Sequence, residues 1–209
     1  MAVYTFAGNR PVIHATAFIH PLASVIGRVE VGPECFIGPG ASLRGDWLTI
    51  RLGAGSNVQD NCVIHGFPGV EVVLAEESHL GHGSIVHGAR LERNVLVGMN
   101  AVVQDGVLLG EGVVVGSGCV VPAGMEVPAG RLVVGVPGKI VGDVRPELAA
   151  MKRRGTGWYQ ALARRLSQDF AETDPEDCRD TVPPCDRWLE WVASLEGWGT
   201  EPNRTEEKD

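Results

Sequence analysis

The chain is short of aromatic residues, of long apolar runs and of positive charge. Phe, Trp and Tyr together make up 6% of its 209 residues, too few for a core built on packed rings. No apolar run approaches the roughly 20 residues with which a helix crosses a bilayer. The opening Met1-Ala2-Val3-Tyr4-Thr5-Phe6 lacks the basic and then apolar pattern of an export signal. A formal net charge of −8 argues against general affinity for nucleic acid or an anionic membrane. The one compact basic cluster, Lys152-Arg153-Arg154, reads as a solvated helix face. Five cysteines (35, 62, 119, 178 and 185) show no C-x-x-C spacing, and an odd, scattered set reads as free thiols in the cytoplasm. Cys178 and Cys185 are expected to stay unpaired with the rest.

Glycine is abundant, at 28 residues, and it accompanies a six-residue rhythm. Ile, Leu or Val recurs at 13, 19, 25, 31, 37 and 43, then at 52, 58, 64, 74, 80 and 86. The beat continues through 91, 97, 103, 109, 115, 121, 127 and 133. That period fits neither an α-helix nor a hairpin sheet, and it matches a hexapeptide parallel β-helix. Glycine suits the tight corners of such a coil because it accepts positive φ.

Three hexapeptides make one triangular coil, so the twenty beats make nearly seven. Residues 1–10 are expected to cap the first coil, with the β-helix spanning 11–140. Residues 141–170 read as C-terminal α-helices, divided in two by Gly155-Thr156-Gly157, the second lying along one side of the solenoid. Residues 171–209 form an acidic, proline-containing tail. Within it Trp188, Val192 and Leu195 suggest a short docking helix, and the last ten residues read as disordered. The rhythm breaks three times: an insertion near Asp46–Thr49, another containing Gly66-Phe67-Pro68-Gly69, and a one-residue deletion after His87. Loops ejected from a regular solenoid often carry function.

Counting phases locates the histidines. With the sides labelled A, B and C from Ile13, residues Leu43, Ile64 and Val86 fall on side C, and Val58 and Leu80 on side B. Arg44, His65 and His87 each follow a C-side beat by one residue, so they point outward in one column, in coils roughly 4.8 Å apart. His82 follows Leu80 by two and belongs to side B, near Gln59. A B-side histidine reaches a metal on side C most readily in another chain. The expectation is therefore a homotrimer in which His65 and His87 of one chain and His82 of the next hold one ion. Three imidazoles leave a fourth tetrahedral position open, the pattern of catalytic zinc. Fe2+ and Co2+ accept the same set. His14, His20 and His79 read as surface or hydrogen-bonding residues.

Arg44-Gly45-Asp46, Asn57-Val58-Gln59-Asp60, His65, and His82 with His87 resemble the γ-class carbonic anhydrase superfamily, and particularly its branch concerned with phenylacetate and carnitine metabolism. Ser42–Asp46, Gln59–Val63, His65–Pro68, Leu96–Val103, and Gly155-Thr156 with Tyr159-Gln160 carry the likeness. The resemblance implies a left-handed β-helix, a trimer, and a metal bound by these three histidines between subunits. It implies interface contacts for Arg44, Asp46 and Asp60. For Gln59 it implies a hydrogen bond to metal-bound water, with Asn57 in the same polar cluster, and Tyr159 is a further candidate catalytic residue.

One departure bears on the substrate. The archetypal family member carries a proton-shuttling glutamate in an acidic loop, and here that loop is Trp47-Leu48-Thr49, without a carboxylate. Rapid CO2 hydration needs an exit for the proton, for which Asp46, Glu71 and Tyr159 are candidates that the spacing does not assign. The favoured expectation is thus metal-dependent hydrolysis of acyl-CoA thioesters in phenylacetate degradation. A γ-type carbonic anhydrase acting on CO2 and bicarbonate comes second, and a hexapeptide acyltransferase third.

Overall fold

In a computed structural model the described residues are 2–174, 176 and 186–195. The six-residue rhythm is a parallel β-solenoid of about seven coils, in which every beat residue except the partly exposed Ile13 is buried. Burying each Leu, Ile or Val stabilises the fold by about 1.5–3 kcal/mol, so the inward column fixes the coil-to-coil register.

Side B forms a sheet of its own. It runs from Phe18–Ile19 through Phe36–Ile37, Asn57–Val58, His79–Leu80, Leu96–Val97 and Val114–Val115 to Arg131–Val134. The antiparallel strand Lys139–Asp143 closes that end. Sides A and C share a second sheet, because Ser24–Val31 and Ser42–Leu52 each run unbroken round the corner between them. At the opposite end Ala2–Tyr4 pairs with Ser24–Ile26.

The insertion near Asp46–Thr49 is not an ejected loop. It lies within the strand Ser42–Leu52, where Leu48 and Ile50 turn into the core and Trp47 stays exposed. Two glycines make that corner possible. A Cβ on Gly27 would meet the Gly45 carbonyl oxygen at 2.5 Å, and one on Gly45 would meet the Arg28 carbonyl oxygen at 2.5 Å. The pairing register shifts between Gly27 and Val29 at the same place. The second insertion does leave the solenoid, between the strands Val63–His65 and Val72–Leu74.

The expected break at Gly155-Thr156-Gly157 does not occur. Pro146–Asp169 is one continuous helix, α1. A helical glycine costs about 1 kcal/mol, and contacts on either side of the pair outweigh it. Lys152 is buried and donates to the Glu77 carbonyl oxygen and to Asn94 Oδ1. Ala163 packs with Phe18 and Phe36 of side B, joined by Tyr159, Leu162 and Leu166. Lys152 therefore is not part of a solvated face, although Met151 and Arg153 beside it are exposed.

Asp169–Asp209 forms a separate unit, in which Asp186–Ala193 is a helix, α2. Cys178, Cys185 and the last ten residues lie outside the described residues, while Cys35, Cys62 and Cys119 are free and buried. No helix among the described residues is long and apolar enough to cross a membrane.

Gly45→Ala is expected to lower stability by about 1–3 kcal/mol, because backbone rather than a flexible side chain stands in the way of the new methyl. Urea denaturation measures it, and an unchanged midpoint would show that the corner has slack.

Candidate functional site

Side C holds one cluster. His65 and His87 are paired residues of adjacent parallel strands, Val63–His65 and Ile85–His87, and their ring centroids lie 5.4 Å apart. His65 Nε2 lies 2.9 Å from Asp46 Oδ1, and His87 Nδ1 lies 2.7 Å from Asp105 Oδ1. Trp47 packs on His65 at 5.5 Å between ring centroids, and Phe67 of the looped insertion meets His87 edge-on at 5.2 Å. Both insertions thus supply an aromatic wall to the histidine pair. Arg44 donates to Asp46 at 3.0 Å. Burial works to raise the Asp46 carboxyl, but the hydrogen bond from His65 and the Arg44 charge outweigh it and hold it below the usual carboxylate range.

Side B holds the second cluster. His82 Nδ1 lies 3.0 Å from Asp60 Oδ2, and its Nε2 lies 3.5 Å from the Tyr159 hydroxyl of α1. Buried Gln59 accepts from the His82 backbone N–H through Oε1 at 3.2 Å, and donates through Nε2 to Asn57 Oδ1 at 3.0 Å. The same Nε2 lies 2.6 Å from His79 Nε2. Burial, and then the Asp60 charge, push the Tyr159 hydroxyl up to about 12, so it keeps its proton and acts as a donor.

The structure thus brings Arg44, Asp46, His65 and His87 together on one side, and Asn57, Gln59, Asp60, His82 and Tyr159 on the other. Among the described residues no three His, Cys, Asp or Glu side chains of one chain converge as a metal site.

The hydrogen bonds define which ring nitrogen is free. An ionised carboxylate only accepts, so His65 carries its proton on Nε2, and His82 and His87 carry theirs on Nδ1. The nitrogens left with a lone pair are His65 Nδ1, His87 Nε2 and His82 Nε2, the last of which also faces the Tyr159 hydroxyl. Metal-ligating imidazoles are characteristically fixed by a carboxylate on the second nitrogen in this way. The donor set fits a divalent metal.

One participant was not anticipated from the sequence, and a second was expected only as a surface or hydrogen-bonding residue. Asp105 is the partner of His87, and its position in the next coil above was the only signal. Of the two roles expected for it, His79 takes hydrogen bonding, through Gln59. It pairs in register with Asn57, its Nδ1 is buried without a partner, and Tyr159 packs edge-on against it at 5.5 Å. Their common phase, one residue before a B-side beat, was legible. Of the groups available for proton export, Asp46 is committed to His65 and Arg44, Glu71 to Arg51, and Tyr159 holds its proton.

A solenoid of this period, bearing its polar chemistry on outward columns, defines a hexapeptide-repeat protein. The profile described as bacterial transferase hexapeptide (six repeats) matches residues 10–45 and 88–123. Residues 46–87, between those matches, carry both insertions and four histidines, His65, His79, His82 and His87. The chain is 42% identical over 175 residues to carnitine operon protein CaiE of Escherichia coli K12, spanning 84% of this chain and 89% of that one. It belongs to the CaiE family of γ-carbonic-anhydrase-like hexapeptide proteins.

Two solved structures are also similar. A hexapeptide transferase family protein from Anaplasma phagocytophilum has a TM-score of 0.75 at 34% identity, over 78% of this chain and 96% of that one. A Bacillus cereus protein provisionally described as an acetyltransferase has a TM-score of 0.77 at 29% identity, over 78% and 95%.

Burial, followed by the charges of Lys152 and His82, pushes His79 down from 6.5 to about 3. Between those values the unfolded chain binds the proton and the folded chain does not, so stability falls as pH drops through that window. Metal-free protein is expected to lose stability between pH 6.5 and pH 4, and His79→Gln to lose less over the same interval. Urea midpoints across that range decide, and parallel curves would remove His79 as the cause.

Proposed function

We propose that the chain is a metal-dependent hydrolase of acyl-CoA thioesters, PaaY-like in the phenylacetate-degradation sense, working as a homotrimer with a three-histidine site between subunits. The observation that carries this reading is the pairing of each histidine with its own carboxylate: His65 with Asp46, His82 with Asp60, and His87 with Asp105. His65 and His87 of one chain and His82 of its neighbour would hold the ion, with Zn2+ favoured and Fe2+ or Co2+ as alternatives. When bound, such a metal supplies a Lewis acid that brings the ionisation of water down to about pH 7.

The chain's own residues orient and protect that chemistry. Asp46, Asp60 and Asp105 hold the ring protons away from the coordinating nitrogens. Both Nε2 hydrogens of Gln59 are taken, by Asn57 and His79, while Oε1 keeps one lone pair beyond its bond to the His82 backbone. Gln59 therefore orients an incoming water as an acceptor. Tyr159 stands beside His82 as a hydrogen-bond donor that keeps its proton, suited to a developing oxyanion on the thioester carbonyl. Trp47 and Phe67 flank the histidine pair with apolar surface that limits solvent access.

CO2 hydration is the second reading. The ligand set suits it, but Asp46 and Glu71 are paired with other side chains and Tyr159 holds its proton. Acyl transfer is the third, supported by the two similar structures described as transferases. The metal-loaded protein should be assayed in parallel for release of free CoA from phenylacetyl-CoA, for CO2 hydration, and for transfer to amine and hydroxyl acceptors. CoA release proportional to bound metal and independent of acceptor is expected. Release that requires an acceptor would establish the transferase instead, and rapid CO2 hydration without release the anhydrase.

The division of ligands between chains has its own test. His82→Ala and His65→Ala proteins should each lose metal and activity. Co-expressed, they should regain a fraction of both, since a mixed trimer contains an interface with all three histidines. No recovery in mixed trimers would place the ligands within one chain.

A further inference from the structure

The backbone N–H of His82 can only donate, so the Gln59 atom facing it at 3.2 Å is the carbonyl oxygen. The other end of that amide, Nε2, therefore points at Asn57 and at His79 Nε2, which lies 2.6 Å away. Two N–H groups facing each other at that distance would repel, so His79 Nε2 must carry the lone pair. Its proton then sits on Nδ1, a buried nitrogen without a hydrogen-bond partner. The ring is neutral, which agrees with its burial beneath α1 and its nearness to Lys152. A residue kept there for packing alone would not need an accepting nitrogen aimed at Gln59, nor leave a buried N–H unbonded.

We propose that His79 is a positioning residue: its neutral ring accepts the Gln59 amide, so that the Gln59 carbonyl grips the His82 backbone and holds that imidazole in its outward direction on side B. Tyr159 reinforces the arrangement, packing edge-on against His79 while its hydroxyl faces His82. The link runs from a residue that touches neither substrate nor metal, through one amide, to a ligand. The inference rests on the reading of His82 as a metal ligand.

Two substitutions in the full-length protein separate positioning from packing. His79→Phe keeps an aromatic ring against Tyr159 but removes the acceptor. His79→Gln places an amide oxygen where Nε2 was. Zinc affinity, measured by competition with a chelator, should fall by about ten- to a hundredfold in His79→Phe and by only a few-fold in His79→Gln. Circular dichroism should show the solenoid intact in both. Equal losses in the two variants, or wild-type affinity in His79→Phe, would overturn the proposal. Nitrogen-15 NMR of metal-free wild type supplies a measurement that needs no variant to fold: the Nδ1–H tautomer of His79 is expected, and Nε2–H would overturn the proposal. Should wild type take up no zinc, the functional reading fails by itself. The His82 backbone amide resonance then decides the positioning, since it should shift in His79→Phe and hold in His79→Gln.

Discussion

Everything in the solenoid depends on one aliphatic side chain entering the core every six residues. Between two such residues the chain has room for one tight corner and a few outward positions. Coils then stack at strand spacing, roughly 4.8 Å, so outward residues of equal phase form columns. His65 beneath His87 and Asn57 beneath His79 are two such columns. The inward positions need only be apolar and of suitable size, and identity at the outward positions is left free. Chemistry in this fold is therefore arranged by phase, and a residue's neighbours are set by counting more than by sequence distance.

Where the count is interrupted, the chain spends residues on the site. The Gly27 and Gly45 backbones approach closely enough for two strands to turn the corner side by side, which carries Asp46 to His65 and Trp47 onto its ring. The looped insertion does the same for Phe67 and His87. These interruptions fall between the two stretches that follow the general hexapeptide pattern. A solenoid with an uninterrupted rhythm would keep the histidine column and Asp105, and would lose Asp46, Trp47 and Phe67.

The periodicity was enough to place all twenty inward positions on their faces, and to divide His82 from His65 and His87, because both follow from a local count. It was not enough for α1. Glycine propensity is a local quantity, and the helix runs through Gly155 and Gly157 because Lys152, Tyr159 and Ala163 find partners on distant coils. Lys152 reads as solvated for the same reason: the Glu77 carbonyl and Asn94 that receive it belong to other coils. His79 read only as a surface or hydrogen-bonding residue, because its importance depends on being covered by α1. Asp105 lay one coil above its partner, where phase gives proximity but not the direction of a side chain.

The protonation pattern ties these features together. Three imidazoles on two faces are each fixed with one nitrogen against a carboxylate and the other presenting a lone pair. A general base for acyl transfer requires one such imidazole, oriented by one such partner. Three, divided so that neither face alone is complete, exceed what proton abstraction needs and suit shared coordination. On that reading the site exists only where side B of one chain meets side C of another. Loss of assembly would then abolish the chemistry without unfolding any coil, since the inward column that holds each solenoid together contributes nothing to the contact between chains.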